Sequence, residues 1–156
     1  MTLRLHGTSI AVAGNAMLLR GAPGSGKSDL ALRLIYGVFA DWPRPLLVAD
    51  DQVNVVPSTD GQMLTISCPP TIAGKIEVRG LGLIHVPHVS SARLCLVVDL
   101  LAPEKIPRMP PDGDRVLLCD VAVALLALSP YDASAPLKAL LALKNVVRAE
   151  NLNQGE

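Results

Sequence analysis

An α/β domain with a mixed β-sheet is the fold the sequence predicts, and three observations predict it. The segment Leu18 to Ile35 passes from an apolar run through Gly21-Ala22-Pro23-Gly24-Ser25-Gly26-Lys27-Ser28 into a helical pattern with apolar positions at Leu30, Leu34 and Val38. Short strand-like apolar runs recur at Leu46 to Ala49 and Leu94 to Leu101, while the intervening pieces read as an antiparallel meander. A chain of 156 residues makes one domain, long enough to bury roughly two-thirds of its unfolded surface.

The eight residues Gly21 to Ser28 fit the spacing Gly, four residues, Gly-Lys-Ser, and they lie between a strand and a helix. That context predicts a Walker A phosphate loop. Glycines let successive backbone N–H groups and the positive end of the following helix converge on one anion. Lys27 is placed to reach the β and γ phosphates of a nucleoside triphosphate, and Ser28 to offer its hydroxyl to Mg²⁺.

Composition limits what surrounds this loop. Half the residues are hydrophobic and only 3% are aromatic, so the core must be Leu, Val, Ala and Ile. Lys and Arg balance Asp and Glu at 14 each, which gives no electrostatic reason for nucleic acid or an anionic membrane as partner. Cys68, Cys95 and Cys119 lie far apart in apolar stretches without metal-ligand spacing, so they read as small buried thiols in a reducing compartment. The N-terminus lacks a secretory pattern, and the longest apolar run, Val121 to Leu128, is too short to span a bilayer. These features describe a cytoplasmic protein.

Taken in order, residues 3 to 20 alternate and turn like a strand pair, with Leu3, Leu5 and then Ile10 to Ala13 as its first part. Ala13-Gly14-Asn15 forms the turn into a strand, Ala16 to Arg20, which feeds the loop. His6-Gly7-Thr8 falls in the first strand or its turn. The helix from Ser28 ends near Gly37, because Trp42-Pro43-Arg44-Pro45 cannot continue it. Leu46-Leu47-Val48-Ala49-Asp50-Asp51 then reads as a buried parallel strand with two carboxylates at its end. Strand ends face the ligand crevice in such sheets, so one carboxylate can hold a metal and the other take a proton from an attacking hydroxyl.

Val53 to Val56, Met63 to Ile66 and Ile72 are short pieces of the meander. Glu77 and Arg79 share a strand face opposite Ile76 and Val78, and Gly80 and Gly82 beside them suggest close approach of backbone or ligand. His85 and His88 flank Pro87 without helical geometry or a nearby thiol, which argues against a metal site there. Leu94 to Leu101 is a central strand, and Pro103 to Asp114 is a Pro-rich loop placed to act as a lid or partner contact. Arg115 to Leu128 reads as further strands. Ser134 and Pro136 then open a helix whose apolar face is Leu137, Leu140, Leu141 and Leu143, with Lys138, Lys144 and Arg148 outside and a frayed tail from Asn151.

His6-Gly7, the loop Gly21 to Ser28, Ala49-Asp50-Asp51-Gln52-Val53 and Glu77-Val78-Arg79-Gly80-Leu81-Gly82-Leu83-Ile84 come in the order and approximate spacing of one family. Together they resemble the catalytic domain of bacterial HPr kinase/phosphorylase, and the last segment is close to that family's signature. The resemblance implies transfer of the γ-phosphoryl group of ATP to a serine of HPr, a small phosphocarrier of a sugar or nitrogen phosphotransferase system. It also implies reverse phosphorolysis by inorganic phosphate in many members. Lys27 would then stabilise the transferring group, and Ser28 and Glu77 would match the Mg²⁺-binding positions. Asp51 would be the base for the serine proton with Asp50 beside it, and His6 would match the active-site histidine. Arg79 lies in the segment used for both directions, and Arg108, with Arg115 as competing candidate, would match an arginine near the transferred phosphate.

By the same resemblance the chain is a single catalytic domain, residues 1–156, that lacks the family's N-terminal domain and its Pro-Gly-Arg-Asn loop, as in short alphaproteobacterial forms. A homo-oligomer, hexameric in the family, is implied as well. Two other functions stay open at this point, a small-molecule kinase of the phosphate-loop class and a non-catalytic ATP sensor.

Overall fold

The computed structural model describes residues 1–155. Its strands are β1 (Leu3–His6), β2 (Thr8–Val12), β3 (Asn15–Arg20), β4 (Leu46–Ala49), β5 (Gln52–Pro57), β6 (Leu64–Ser67), β7 (Lys75–Val78), β8 (Gly82–His85), β9 (Ser91–Leu100), β10 (Arg115–Leu118) and β11 (Val121–Leu128). The helices are α1 (Lys27–Tyr36) and α2 (Ala135–Gln154). The mixed α/β architecture expected from the sequence is the one observed.

Nine strands form one sheet in the order β1-β5-β6-β9-β3-β2-β4, with β11 beside β9 and β10 beside β11. The ten-residue β9 is its spine. One edge runs parallel to β3, while the other pairs antiparallel with β6 near its start and parallel with β11 near its end. Hence β3, β9 and β11 point the same way and finish at the same end of the sheet. The remaining pair, β7 and β8, makes a separate antiparallel hairpin.

Strand order puts β4 at one end of the sheet and β5 and β1 at the other. Only Asp50 and Asp51 separate β4 from β5. The sheet therefore curls until its two ends meet at that dipeptide, and the Gly7 N–H donates to the Asp51 carbonyl at 3.1 Å across the join. Inside the curl lies a core of Leu18, Val48, Val53, Val55, Leu64, Ile66 and Val97. A second core, with Leu19, Leu30, Leu34, Ile76, Val98, Leu140 and Leu143, packs α1 and α2 on the outer face. Burial of this aliphatic surface is the main favourable contribution to folding.

Four expectations need correction. First, the strand that pairs with β4 is β2, and it is antiparallel; parallel pairing of β4 is confined to an isolated bridge between Leu47 and His88. Because β2 is also antiparallel to β3, β4 still runs in the direction of β3, so its carboxyl end does reach the Gly-rich loop. Second, residues 3 to 20 make three strands rather than a pair, and β1 pairs with β5.

Third, the helix faces shift. Val38 lies beyond α1 and is 98% exposed, while Ala31 and Ile35 join Leu30 and Leu34 in the buried stripe. On α2, Leu137 and Leu141 are exposed, and Ala135, Pro136, Ala139, Leu140 and Leu143 are buried, with helix continuing through Gln154. Fourth, Gly80 and Gly82 have open space around them and φ values of 92° and 85°. A tight turn with left-handed backbone requires them, not close packing within the chain.

All three cysteines are free, and Cys95 is buried whereas Cys68 and Cys119 are half-buried. Burial pushes the Cys95 thiol up to about 11 from its ordinary 9.0, with the Glu150 charge adding to the rise and Arg93 opposing it. The folded chain therefore keeps this proton over a pH range in which the unfolded chain loses it. Folding stability should fall by roughly 2 kcal/mol from this group as pH rises from 9 through 11. Urea unfolding across that range checks it, and Cys95→Ala should show a shallower decline than the wild type. Among the described residues no helix is long and apolar enough to cross a membrane.

Candidate active site

The Gly-rich loop joins β3 to α1. Its turn is closed by the Ser25 N–H donating to the Ala22 carbonyl at 3.0 Å. Gly24 and Gly26 hold φ at 77° and 94°, values that a side chain strains, so the loop can turn directly into the helix. A Cβ at Gly21 would lie 2.4 Å from Ser25 Oγ, which excludes larger residues there. Lys27 begins α1 and is only 8% exposed. Its ammonium donates to the carbonyls of Gly21 at 2.8 Å and Ala22 at 3.1 Å, so its charge is held over the loop.

Asp50 and Asp51 follow β4 and turn in opposite senses. Asp50 points inward and is 7% exposed. Its Oδ1 accepts from Thr8 Oγ1 at 2.8 Å and Ser28 Oγ at 2.9 Å, and its Oδ2 accepts from the Glu77 N–H at 3.2 Å. Three separate segments, β2, α1 and β7, are thus tied to one buried carboxylate. Asp51 points outward, 78% exposed, with φ at 71°, a left-handed conformation unusual for a residue with a side chain. Its Oδ1 lies 3.2 Å from His6 Nδ1 at the end of β1. One carboxylate is locked inside the site while its neighbour faces out beside a histidine.

Two oxygen atoms of the site are of the type a hard cation takes. Ser28 Oγ and Asp50 Oδ1 are two hard oxygen donors within one coordination shell. Among the described residues no group of three or more His, Cys, Asp or Glu could hold a metal ion. Such a pair fits Mg²⁺, which keeps water and takes phosphate oxygens as most of its ligands.

The structure gathers His6, Lys27, Ser28, Asp50 and Asp51 at one end of the sheet, with the Glu77 amide among them. Glu77 reaches Asp50 through its backbone, and its side chain is exposed. Arg79 follows the end of β7, so it does not share a strand face with Glu77, and it is exposed in the turn to β8. Arg108 is exposed in the Pro-rich segment, whose first residues, Pro103–Lys105, form a single 3-10 turn. Among the described residues neither Arg79 nor Arg108 enters an ion pair.

Three features at this end of the molecule escaped the sequence reading. Thr8 is completely buried and holds Asp50, yet a lone Thr after His6-Gly7 carries no signal of that role. Arg20 and Asp99 close the ends of β3 and β9 with a two-pronged ion pair of 2.8 and 3.0 Å. A charge ending the apolar run Leu94 to Val98 was the available signal. Tyr131 donates its hydroxyl to the Gly24 carbonyl at 3.2 Å, from a Pro-containing turn that reads as a plain connector.

Residues 1–123 match the family described as the HPr serine kinase C-terminal domain. The chain is 36% identical over 119 residues to the HPr kinase/phosphorylase of Bordetella petrii, covering 70% of this chain and 36% of that protein. To the HPr kinase/phosphorylase of Clostridium tetani it is 42% identical over 86 residues, 55% of this chain and 26% of that protein. The chain thus spans well under half the length of either relative. The structure of the Hpr(Ser) kinase/phosphatase from Coxiella burnetii superposes with a TM-score of 0.76 at 23% identity, covering 98% of this chain and 96% of that one. At that identity the likeness speaks for the fold.

Proposed function

This chain belongs to the HPr serine kinase C-terminal domain family, and on that premise we propose that it is an ATP- and Mg²⁺-dependent kinase for a serine of an HPr-like phosphocarrier protein. The observation that carries the reading is the contact of Ser28 Oγ with Asp50 Oδ1 at 2.9 Å, with Lys27 on one side and the outward Asp51 on the other. A hydroxyl, a buried carboxylate, a cation and an exposed carboxylate are the parts that phosphoryl transfer uses.

Gly21 to Ser28 bind the phosphates through the loop N–H groups and the start of α1. Ser28, Asp50 and Glu77 are the residues that would hold Mg²⁺, which would supply positive charge to the phosphate oxygens. Lys27 stabilises charge that develops on the transferred group. Asp51 accepts the serine proton at a carboxylate oxygen, and His6, 3.2 Å away, fixes the orientation of that carboxylate. Reverse phosphorolysis by inorganic phosphate belongs to the same reading, since the matched relatives are named HPr kinase/phosphorylase. Arg79, in the turn between β7 and β8, and Arg108, in the Pro-rich segment, are exposed cations available to meet the carrier or its phosphate.

Incubating the chain with Mg²⁺, ATP and an HPr-like carrier should yield phosphoserine on the carrier. Lys27→Ala should reduce the rate by about 10²- to 10³-fold. An unchanged rate in that variant would rule the reading out.

A further inference from the structure

The nucleotide's direction across the loop is fixed by where the chemistry sits. Asp50, Asp51 and His6 lie on the β4 and β1 side of the Gly-rich loop. Phosphates bound with their reactive end toward these carboxylates must leave the loop on its other side. On that side lie the carboxyl ends of β9 and β11, which run parallel to β3. The segment that follows β11, Ser129-Pro130-Tyr131-Asp132, rises there as a wall.

This wall is fastened to the loop and to α1. The Tyr131 hydroxyl donates to the Gly24 carbonyl at 3.2 Å. Pro130 Cβ and Tyr131 Cε1 stand 3.2 and 3.6 Å from where a Cβ on Gly26 would project. From α1, the Arg33 guanidinium donates to the carbonyls of Pro130 and Asp132, and Asp29 holds the same guanidinium in place. Lys138 donates to the Asp132 carboxylate at 3.2 Å. Yet the Tyr131 side chain, anchored at its hydroxyl, leaves the residue 70% exposed.

An exposed aromatic ring held at both backbone and hydroxyl has lost little freedom still to lose when a flat ligand stacks on it. Such rings are rare in this chain. It has four aromatic residues, and the other three, Tyr36, Phe39 and Trp42, cluster at the far end of α1. Buried Ser129, whose hydroxyl has no partner among the described residues, begins the same turn.

We propose that Tyr131 forms the base-binding face of the nucleotide site, its ring stacking on the purine of the triphosphate bound at Gly21 to Ser28. The inference rests on the nucleotide-binding part of the proposed function. Stacking of a base on an aromatic side chain is strong enough to be measured by substitution and does not depend on hydrogen-bond readout. Tyr131 therefore sets affinity for the nucleoside, and a modest preference for larger, more easily stacked bases.

The test compares ATP with inorganic tripolyphosphate, which presents the same phosphates and no base. By calorimetry, Tyr131→Ala should weaken ATP binding about 10-fold and change tripolyphosphate binding less than about 2-fold. Tyr131→Phe, which keeps the ring and removes the bond to Gly24, should bind ATP within about 3-fold of wild type. Equal weakening of both ligands by Tyr131→Ala would mean that Tyr131 acts only by shaping the loop, and would overturn the proposal. So would an unchanged ATP affinity. If the wild-type chain binds neither ligand, the nucleotide reading itself fails and this inference fails with it. Wild-type binding of both, with no difference between them in Tyr131→Ala, rejects the stacking role alone.

Discussion

Asp51→Asn should lower phosphoryl transfer by about 10²- to 10⁴-fold while leaving ATP affinity within about 3-fold of wild type. Its carboxylate is 78% exposed and bonded to no backbone donor of the loop, so the substitution leaves the phosphate-binding parts in place. What it removes, on the proposed function, is the acceptor for a serine proton. Loss confined to kcat is the signature of an interaction made in the transition state. The exposed site predicts stability within about 0.5 kcal/mol of wild type, so the loss cannot be attributed to unfolding. His6→Ala should act in the same direction and more weakly, because His6 orients Asp51 from 3.2 Å and holds no other part of the site. Steady-state kinetics with carrier and ATP varied in turn would separate these effects. Full activity in Asp51→Asn would remove this residue from the proton transfer.

Asp50→Ala should fail differently, by losing both fold stability and transfer. Asp50 is 7% exposed and accepts from the Thr8 and Ser28 hydroxyls and from the Glu77 N–H. Removing it leaves three donors without their acceptor, one of them on a completely buried threonine. Each unmet buried group costs about 1–3 kcal/mol, less where water can reach it, so a total near 3 kcal/mol is expected. Asp50→Asn keeps the volume but turns one oxygen into a donor facing donors, so it should recover part of the stability and little of the transfer. Urea denaturation reads the first quantity and carrier phosphorylation the second. A stability for Asp50→Ala within about 0.5 kcal/mol of wild type would contradict the tethering described for this carboxylate.

The contrast between these neighbours shows what a linear sequence can convey. Residue types and spacing within a few positions identify the loop Gly21 to Ser28 and the pair Asp50-Asp51, because backbone turns and strand ends are local. They do not say which aspartate turns inward. That follows from the left-handed φ at Asp51 and from Thr8, 42 residues away from Asp50 in the chain. Long-range partners leave no periodic trace.

The misread strand and helix have a similar cause. Leu46 to Ala49 is an apolar run of four, and such a run looks alike in a parallel strand and in an antiparallel strand covered on both faces. Here its free edge is met by the segment around Pro87 to Val89, with bonds of 3.0 and 2.9 Å between that segment and Leu47. On α2 the large leucines at 137 and 141 drew the apolar face toward themselves. Close approach to the sheet instead selects the stripe that carries Ala135 and Ala139, whose small side chains let the helix backbone come near. Arg79 falls one residue beyond its strand, since β7 ends at Val78 and the turn follows with a positive φ at Gly80.

The measurement that tests the central claim most directly is transfer of labelled γ-phosphate from ATP to an HPr-like carrier from the same organism, with the carrier's candidate serine changed to alanine as control. The account predicts label on the wild-type carrier, none on the alanine form, and a strong loss with Asp51→Asn. Binding of ATP without any serine-dependent label on the carrier would contradict it.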